Sequence, residues 1–345
     1  MPDRLEEDAI LRAVPWRRMA WVTWRQHRLA LSGVAALLGA LAVSLWIVGL
    51  QLHHAYAAAT ACQPASSLVC GELISRFNGM DKILANGYVL QPVPALIGAF
   101  VGAPILAREM EAGTFRYVWT QGFGRWRWAV AKLVPLGVVV AAAAGAFSVL
   151  VSWYYEPYLA TGNQTLSITE ASPLTPGLFD LRGAGFAAWT LAAFAIGGLA
   201  GVLVRRVVPA IVATLTTYAG LACAAGLYLR QHYLAPLVTS NPSSWVSSGS
   251  AWVISQQWTS KGGQPVSLSV LGQVLQAAPQ LAGKGGVPKA LSSVQYLTQH
   301  GYTLFTRYQP ASRFWRFQLI EAGWLVGLAL LLISATVWLV RRRAT

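Results

Sequence analysis

GAGFAAWTLAAFAIGGLAGVLVRRVVPAIVATLTTYAGLACAAGLYL (residues 183–229) decides the fold of this chain. Its only charged residues, Arg205 and Arg206, separate two uncharged apolar runs. A helix of roughly 20 residues is long enough to cross a hydrocarbon core about 30 Å thick. The sequence therefore predicts two membrane-spanning helices, Gly183–Val204 and Val207–Leu229, joined by a tight turn.

Other uncharged apolar runs of similar length extend this pattern along the chain. They are Leu29–Leu50, Ile83–Ala107, Leu133–Tyr155 and Ala322–Val340. Only 11% of the 345 residues are charged and 55% are hydrophobic, whereas soluble domains carry roughly 25% charged residues. We therefore predict an all-α polytopic membrane protein with six transmembrane helices, called spans one to six in chain order. Pro92, Pro94 and Pro104 should kink or interrupt span two. Gly197 and Gly201 in span four form a GxxxG pattern, which favours close helix packing within one subunit or between two.

The 26 Lys and Arg residues are concentrated at the ends of the apolar runs. Residues 1–28, 108–132, 205–206 and 341–343 are the segments densest in positive charge. Cytoplasmic loops carry such an excess, so both termini are predicted to be cytoplasmic in a multi-pass bacterial cell membrane protein. The arginines do not form one continuous basic face, which argues against nucleic acid as a partner.

The predicted topology divides the chain into four regions. Residues 1–28 contain three tryptophans among arginines and are predicted to form an amphipathic helix at the membrane interface, with a solvated basic tail as the alternative. Spans one to five occupy 29–229. Residues 230–317 are predicted to form a small extracellular domain, and 318–345 hold span six and a basic cytoplasmic tail.

Cys62 and Cys70 lie in the predicted outer loop between spans one and two. A disulfide is permitted there, and the alternative is two free cysteines. Cys223 lies within span five, where ordinary packing is expected. The cysteine spacing predicts no metal site. The adjacent pair His53–His54 is better explained as an interfacial end of span one than as metal ligands.

The sequence contains no phosphate loop and no recognisable catalytic motif. Ionisable residues inside a membrane usually mark ion or proton pathways, and none is predicted near the middle of a span. Glu321 is expected at the outer end of span six, paired with Arg313 or Arg316. Asp180 and Arg182 are expected at the outer edge of span four. This pattern argues against a proton-coupled carrier.

Between spans two and three lies a charged and aromatic segment, REMEAGTFRYVWTQGFGRWRWAVAK (residues 108–132). Gly113 is placed to end the helix of span two as its C′ residue, and Thr114 is placed as the N-cap of a new short helix. That helix would have one apolar face, formed by Phe115, Val118 and Trp119. The physical pattern fits a short amphipathic helix parallel to the membrane, and it fits an ordinary interfacial loop equally well.

Three stretches of the chain resemble a known family, and they occur in the same order as in that family. EMEAGT (109–114) precedes GFGR (122–125), and Lys132 follows seven residues later. WVTWRQHR (21–28) leads into span one, and YQPASRFWRFQLIEAG (308–323) leads into span six. Together they resemble type-2 ABC exporter permeases of the actinobacterial branch, and the resemblance extends over the six-span layout.

The resemblance implies a transmembrane permease subunit that dimerises, with a homodimer favoured over a heterodimer, and that is not itself an enzyme. A separate ABC ATPase subunit would bind ATP and magnesium, so this chain would bind no cofactor. Membrane lipid would surround the spans. The expected function is ATP-driven export of a hydrophobic or amphipathic substrate. The alternative is a non-transporting ABC partner that transmits ATPase motion to its extracellular domain.

In that family a coupling helix between spans two and three contacts the ATPase. Carried over to this chain, the resemblance implies that the contact residues are Glu109, Glu111, Gly113, Thr114, Phe115, Arg116, Tyr117 and Trp119. Arg125 and Lys132 would anchor the return into span three. The predicted outer domain is much larger than in compact exporters of this kind, which puts a simple analogy for the exit pathway in doubt.

Overall fold

The structure is a computed structural model. It describes residues 16–63, 67–79, 88–113, 125–160, 172–240, 251–276 and 296–342. The chain divides into two compact units. The membrane unit consists of Met1–Pro157, Pro176–Arg230 and Trp315–Thr345, and the sheet unit consists of Tyr158–Thr175 and Gln231–Phe314.

Six helices in the described residues are long and apolar enough to cross a membrane, as the sequence predicted. They are Trp24–Ala61, Val93–Glu111, Trp126–Tyr154, Gly183–Val204, Val207–His232 and Ala311–Arg342. Spans two and four are the most buried of the six, and spans one and five are the least. The core of the membrane unit is therefore built around spans two and four.

Span one belongs to a much longer helix than predicted, Trp16–Ala61, with 46 residues. Residues 1–15 of the predicted interfacial helix lie outside the described residues, and from Trp16 onward one continuous helix runs into span one. No proline or helix-terminating turn lies between Trp16 and Ala61. At about 1.5 Å per residue such a helix is roughly 70 Å long, about twice the hydrocarbon thickness.

The end of span one is covered by a helix that the sequence did not predict, Leu68–Gly79. A disulfide joins Cys62 to Cys70, with 5.7 Å between their Cα atoms. Phe77 is buried, and its ring lies 5.8 Å from that of Tyr56 on span one. The disulfide and this apolar contact hold the short helix against span one.

Span two is interrupted, and its first α-helical turn within the described residues begins at Val93, after the predicted start at Ile83, which lies outside those residues. It consists of an α-helical turn at Val93–Ile97, a π-helical turn at Gly98–Gly102 and an α-helix at Ala103–Glu111. Residues 80–87 lie outside the described residues. Pro104 has no N–H to donate and its ring displaces the preceding turn, which explains a wider π-helical turn just before it.

Glycines bring spans two and four into backbone contact. A Cβ atom on Gly201 would lie 2.6 Å from the carbonyl oxygen of Ala103, and one on Gly102 would lie 2.6 Å from the carbonyl oxygen of Phe194. A Cβ on Gly197 would collide with the backbone at Gly98. The GxxxG pattern of span four therefore packs within one subunit, and it meets a second GxxxG pattern at Gly98 and Gly102.

The remaining helices of the membrane unit complete the bundle. Their α-helices are Arg125–Tyr154 in span three, Pro176–Phe179 before span four, Gly183–Val204 in span four, Val207–Ala224 in span five and Phe314–Arg342 in span six. The last α-helical turn of span five is followed by a π-helical turn, Ala225–Leu229, and a 3-10 turn, Arg230–His232. Glu156–Ala160 forms a short helix after span three.

The sheet unit contains a four-stranded antiparallel sheet in the order β1-β4-β2-β3. The strands are β1, Leu237–Thr239; β2, Trp252–Thr259; β3, Pro265–Val266; and β4, Thr303–Gln309. A helix at Leu268–Gln276 follows β3. The side-chain amide of Gln309 donates to the carbonyl of Leu234 at 2.8 Å. The all-α prediction thus describes the membrane unit, and the sheet is an addition to it.

Candidate functional site

The segment between spans two and three leaves span two through a turn that its glycine permits. The helix ends at Glu111 with Ala112 as its C-cap, and Gly113 follows with φ of +69°. Such a left-handed conformation favours glycine because a Cβ atom would be strained there. Gly113 N–H donates to the carbonyl of Met110 at 3.3 Å. The predicted role of Gly113 as the C′ residue is confirmed.

Glu109, near the end of span two, forms an ion pair with Lys132, near the start of span three. The Lys132 side chain is 4% exposed and that of Glu109 is 19% exposed. The Lys132 ammonium also lies 4.9 Å from the centre of the Trp128 ring. Removing one partner of a buried ion pair leaves an uncompensated charge. This pair therefore ties together the two helices from which the segment emerges.

Glu111 connects the same segment to the turn between spans four and five. Its Oε2 accepts a hydrogen bond of 2.9 Å from the backbone N–H of Val207, the first residue of span five. Arg206, the N-cap residue, makes no capping bond with its own side chain. A carboxylate at a helix N-terminus also interacts favourably with the helix dipole. Glu111 thus acts as a cap supplied by another helix.

The turn between spans four and five is itself unusual, because Arg205 has φ of +59° without being a glycine. Its N–H donates to the carbonyl of Gly201 at 3.0 Å, and this bond closes the end of span four. Arg205 and Arg206 are both exposed. We call this end of the membrane unit, which also holds Glu109, Glu111 and Lys132, the double-arginine end.

The predicted contact residues divide into two groups. Thr114, Phe115, Arg116, Tyr117 and Trp119 lie outside the described residues. The others are Glu109, Glu111, Gly113, Arg125 and Lys132; the structure places them around the two ends of the segment, and Arg125 begins the helix of span three. Glu109 and Glu111 have partners within the chain, so their first role is to fix the segment. Contact of any of these residues with an ATPase stays a prediction.

A second charged cluster, which the sequence analysis missed, lies at the opposite end of the membrane unit. Arg230 donates to Glu321 through Nε at 3.1 Å and through Nη2 at 2.8 Å, and it also pairs with Asp180. The side chains of Arg230 and Glu321 are completely buried. Trp189 Nε1 donates to Glu321 at 2.8 Å, and the Phe179 ring lies 4.4 Å from the guanidinium carbon. The cluster joins spans four, five and six.

The expected partner of Glu321 was therefore wrong: the structure pairs it with Arg230, not with Arg313 or Arg316. The cluster holds one cation and two carboxylates. Burial raises the pKa of Asp180 to about 7; the Glu321 carboxylate adds to this rise, while Arg230 opposes it. Arg230, Asp180 and Glu321 each lie near a predicted end of a span on the same side of the membrane. This shared position could have indicated the cluster from the sequence. The π-helical turn before Arg230 could not be predicted from the sequence.

The described residues include no group of three or more His, Cys, Asp or Glu side chains that could hold a metal ion. His53 instead donates from Nε2 to the carbonyl of Trp153 at 3.0 Å, and its ring stacks on the Trp153 ring. This histidine therefore serves packing between spans one and three. The contacts of Glu109 and Glu111 at the double-arginine end hold spans two, three and five together around the segment between spans two and three.

The fold and this site define a class, that of polytopic helical membrane proteins with a segment fixed between spans two and three. The family model described as ABC-2 membrane transporter related matches residues 35–230 of the chain. The chain belongs to this family, and it is an ABC-2 type permease. The family is generally a non-catalytic membrane subunit, and it implies an ABC ATPase as partner. Comparisons with curated proteins and with solved structures find no match.

Proposed function

We propose that this permease is the transmembrane subunit of an ATP-driven exporter for a hydrophobic or amphipathic substrate. A separate ATPase subunit binds at residues 109–119, with Arg125 and Lys132 anchoring the return into span three. This contact lies on the cytoplasmic side of the bacterial cell membrane, and both chain termini lie on that side. Two permease subunits form the pathway, and a homodimer of this chain is favoured over a heterodimer. The uncharged spans suit a substrate that itself prefers an apolar environment.

The observation that carries this proposal is the bracing of the segment at both ends. Glu109 ties span two to Lys132 of span three, and Glu111 caps span five. A push on a loosely attached loop would be absorbed by the loop. A push on this segment instead reaches three helices, because each end is held by a charged contact. Packed elements of this kind transmit small displacements as rigid bodies.

The glycine contacts extend the same path into the core. Span two meets span four through backbone contacts at Gly98, Gly102, Gly197 and Gly201, which leave no side chains to yield between the two helices. Protein interiors are close-packed and transmit strain. Displacement of the double-arginine end would therefore carry spans two and four together.

Photo-cross-linking tests the docking site directly. Benzoylphenylalanine replaces Trp119 in the segment, and the tagged chain is coexpressed with a candidate ABC ATPase subunit. We expect ultraviolet light to join the two chains. The matched control places the same group at Leu68, which is 95% exposed on the short helix after span one. Equal cross-linking from both positions, or none from Trp119, would contradict the proposed docking site.

A second candidate function is a non-transporting partner that uses ATPase motion to act through the sheet unit. The specific observation that favours it is the folded sheet, which directly follows span five in the chain and leads into span six. Deleting residues 231–314 distinguishes the two. An exporter without them retains ATP-dependent movement of a fluorescent phospholipid or of Hoechst 33342 in proteoliposomes. A transmitter moves neither probe, with or without the sheet unit.

A further inference from the structure

We propose that the chain binds one anionic phospholipid in an apolar cleft between spans one and three. One acyl chain fills the cleft, and the phosphate lies beside Arg25, Arg28 and Arg127, on the same side of the membrane unit as the double-arginine end. This site concerns the membrane unit alone and does not depend on the substrate or on the ATPase partner of the proposed function.

The cleft has the size of one acyl chain. Its volume is about 390 Å³. The residues that line it lie between Trp24 and Ala42 on span one and between Val139 and Leu150 on span three, and none of them is charged. Small residues such as Ala35, Gly39 and Ala143 account for the free space, and a Cβ atom on Gly39 would meet nothing within 4 Å. An apolar cavity of about 150 Å³ takes one benzene molecule. The cleft therefore corresponds to roughly 16 carbon atoms on that same scale.

Aromatic contacts fix the register of the two helices and show which charges lie beside the cleft. The ring of Trp153 on span three stacks between Trp46, at 4.9 Å, and His53, at 4.6 Å, on span one. The two helices run in the same direction. Trp153 on span three thus lies level with the midpoint of Trp46 and His53 on span one. The same number of residues counted back along each helix from there leads to Arg127 on span three and to Trp24 on span one. Trp24 lines the cleft at its double-arginine end.

Three exposed arginines lie at that level. Arg28 is four residues after Trp24 and three before Leu31, so it shares the helix face that lines the cleft. Arg25 lies over the Trp21 ring, and Arg127 is exposed at the start of span three. None of the three forms an ion pair with a carboxylate of the described residues. Positive charge of this kind attracts anionic lipid headgroups, which selects an anionic lipid over a zwitterionic one.

A second copy of this chain is a poorer occupant than a lipid. Two-fold related subunits present the same surface to each other. A symmetric contact along this cleft would therefore bring the arginines at its end close to their own copies, without carboxylates to compensate them. A lipid phosphate supplies the missing negative charge, and its acyl chain matches the uncharged lining.

Native mass spectrometry of the full chain in detergent measures the binding. Dioleoyl phosphatidylglycerol, dioleoyl phosphatidylcholine and inorganic phosphate are titrated separately. We expect phosphatidylglycerol to bind at least about tenfold more tightly than phosphatidylcholine, because each exposed arginine attracts the net negative headgroup of phosphatidylglycerol. Replacing Arg25, Arg28 and Arg127 by Gln should remove this preference. Replacing Arg108, Arg206 and Arg341, which are exposed at the same end, should leave it unchanged. Binding of inorganic phosphate as tight as that of phosphatidylglycerol would overturn the proposal, since it would show that no acyl chain contributes.

Two matched variants test the cleft. Ala143→Phe places a ring in the cleft and should weaken both phospholipids several-fold, whereas Ala142→Phe, exposed beside it but outside the lining, should not. Equal effects of the two variants would overturn the proposal. A loss of the dimer signal from Ala143→Phe without a loss of bound lipid would also overturn the proposal, because the cleft would then be a contact between two copies of the chain. Should a variant fail to fold, phosphatidylglycerol with a diazirine on its acyl chain labels the unaltered protein. Labelling of residues 31–42 or 139–150 supports the site, and labelling confined to other spans overturns it.

Discussion

The buried ion pair at the double-arginine end gives a quantitative prediction for Glu109→Gln. The substitution leaves the Lys132 ammonium without its carboxylate in a site where the lysine side chain is only 4% exposed. Breaking a buried pair by removing one partner costs about 3–5 kcal/mol. We expect a loss in the free energy of unfolding at the lower end of that range, because the Glu109 side chain is 19% exposed. It is measured by titrating the purified chain from mild detergent into SDS and following far-UV circular dichroism.

Two companion variants separate this effect from a general loss of charge. Glu109→Leu with Lys132→Met removes both charges and should recover most of the loss, because apolar replacement of a buried ion pair is often neutral. Glu111→Gln removes an exposed carboxylate that caps span five and should cost about 0.3–1 kcal/mol. The reasoning is refuted if Glu109→Gln costs no more than Glu111→Gln, or if the double variant is no more stable than Glu109→Gln.

Three further predictions concern other parts of the membrane unit. Gly201→Ala places a methyl group against the backbone of span two and should destabilise the chain by about 1–3 kcal/mol. Gly220→Ala is the control and should not destabilise it, because a Cβ atom there has no neighbour within 4 Å. Titration into SDS measures the stability of both variants. Because the pKa of Asp180 is raised from 3.8 to about 7, the folded chain holds this proton more tightly than the unfolded chain. The contribution of Asp180 to stability is therefore complete below about pH 4 and lost as the pH rises through 7. The free energy of unfolding of the unaltered chain should therefore fall between pH 4 and 7, and it should fall less in the Asp180→Asn variant. The same pH dependence in both chains would contradict this prediction. Replacing Cys62 and Cys70 by Ser should lower the protection of amides in the following helix against hydrogen exchange, since a disulfide closing so short a loop contributes about 2–3 kcal/mol; unchanged exchange would speak against that role.

The sequence was sufficient where a single segment determines its own structure. An uncharged run of about 20 residues has few alternatives to a transmembrane helix, because its backbone must be hydrogen-bonded internally in lipid. The Gly113 turn could be predicted for a similar reason, since Gly113 directly follows the last polar turn of span two and needs only a local conformation. The proline-rich start of span two likewise predicted an interruption, although not its π-helical form.

Features that depend on tertiary contacts could not be predicted. Arg230 lies 50 residues from Asp180 and 91 from Glu321 in the sequence, and no local pattern specifies that they meet. The partners of Glu109 and Glu111 depend in the same way on how spans three and five pack beside span two. The length of span one was missed because hydropathy marks the part of a helix in lipid and not the polar turns that continue it.

ATP turnover by the assembled complex tests most directly whether the segment between spans two and three couples this permease to its ATPase. The complex is reconstituted in proteoliposomes with Arg116→Glu and Arg125→Glu, and separately with Arg341→Glu and Arg342→Glu as a control of equal charge change. We expect the first pair to reduce association with the ATPase and its stimulated turnover by at least about tenfold, because charge reversal in an interface costs several kcal/mol. The control pair, at the end of span six, should keep both. Full association and turnover with the first pair would contradict a coupling role for the segment.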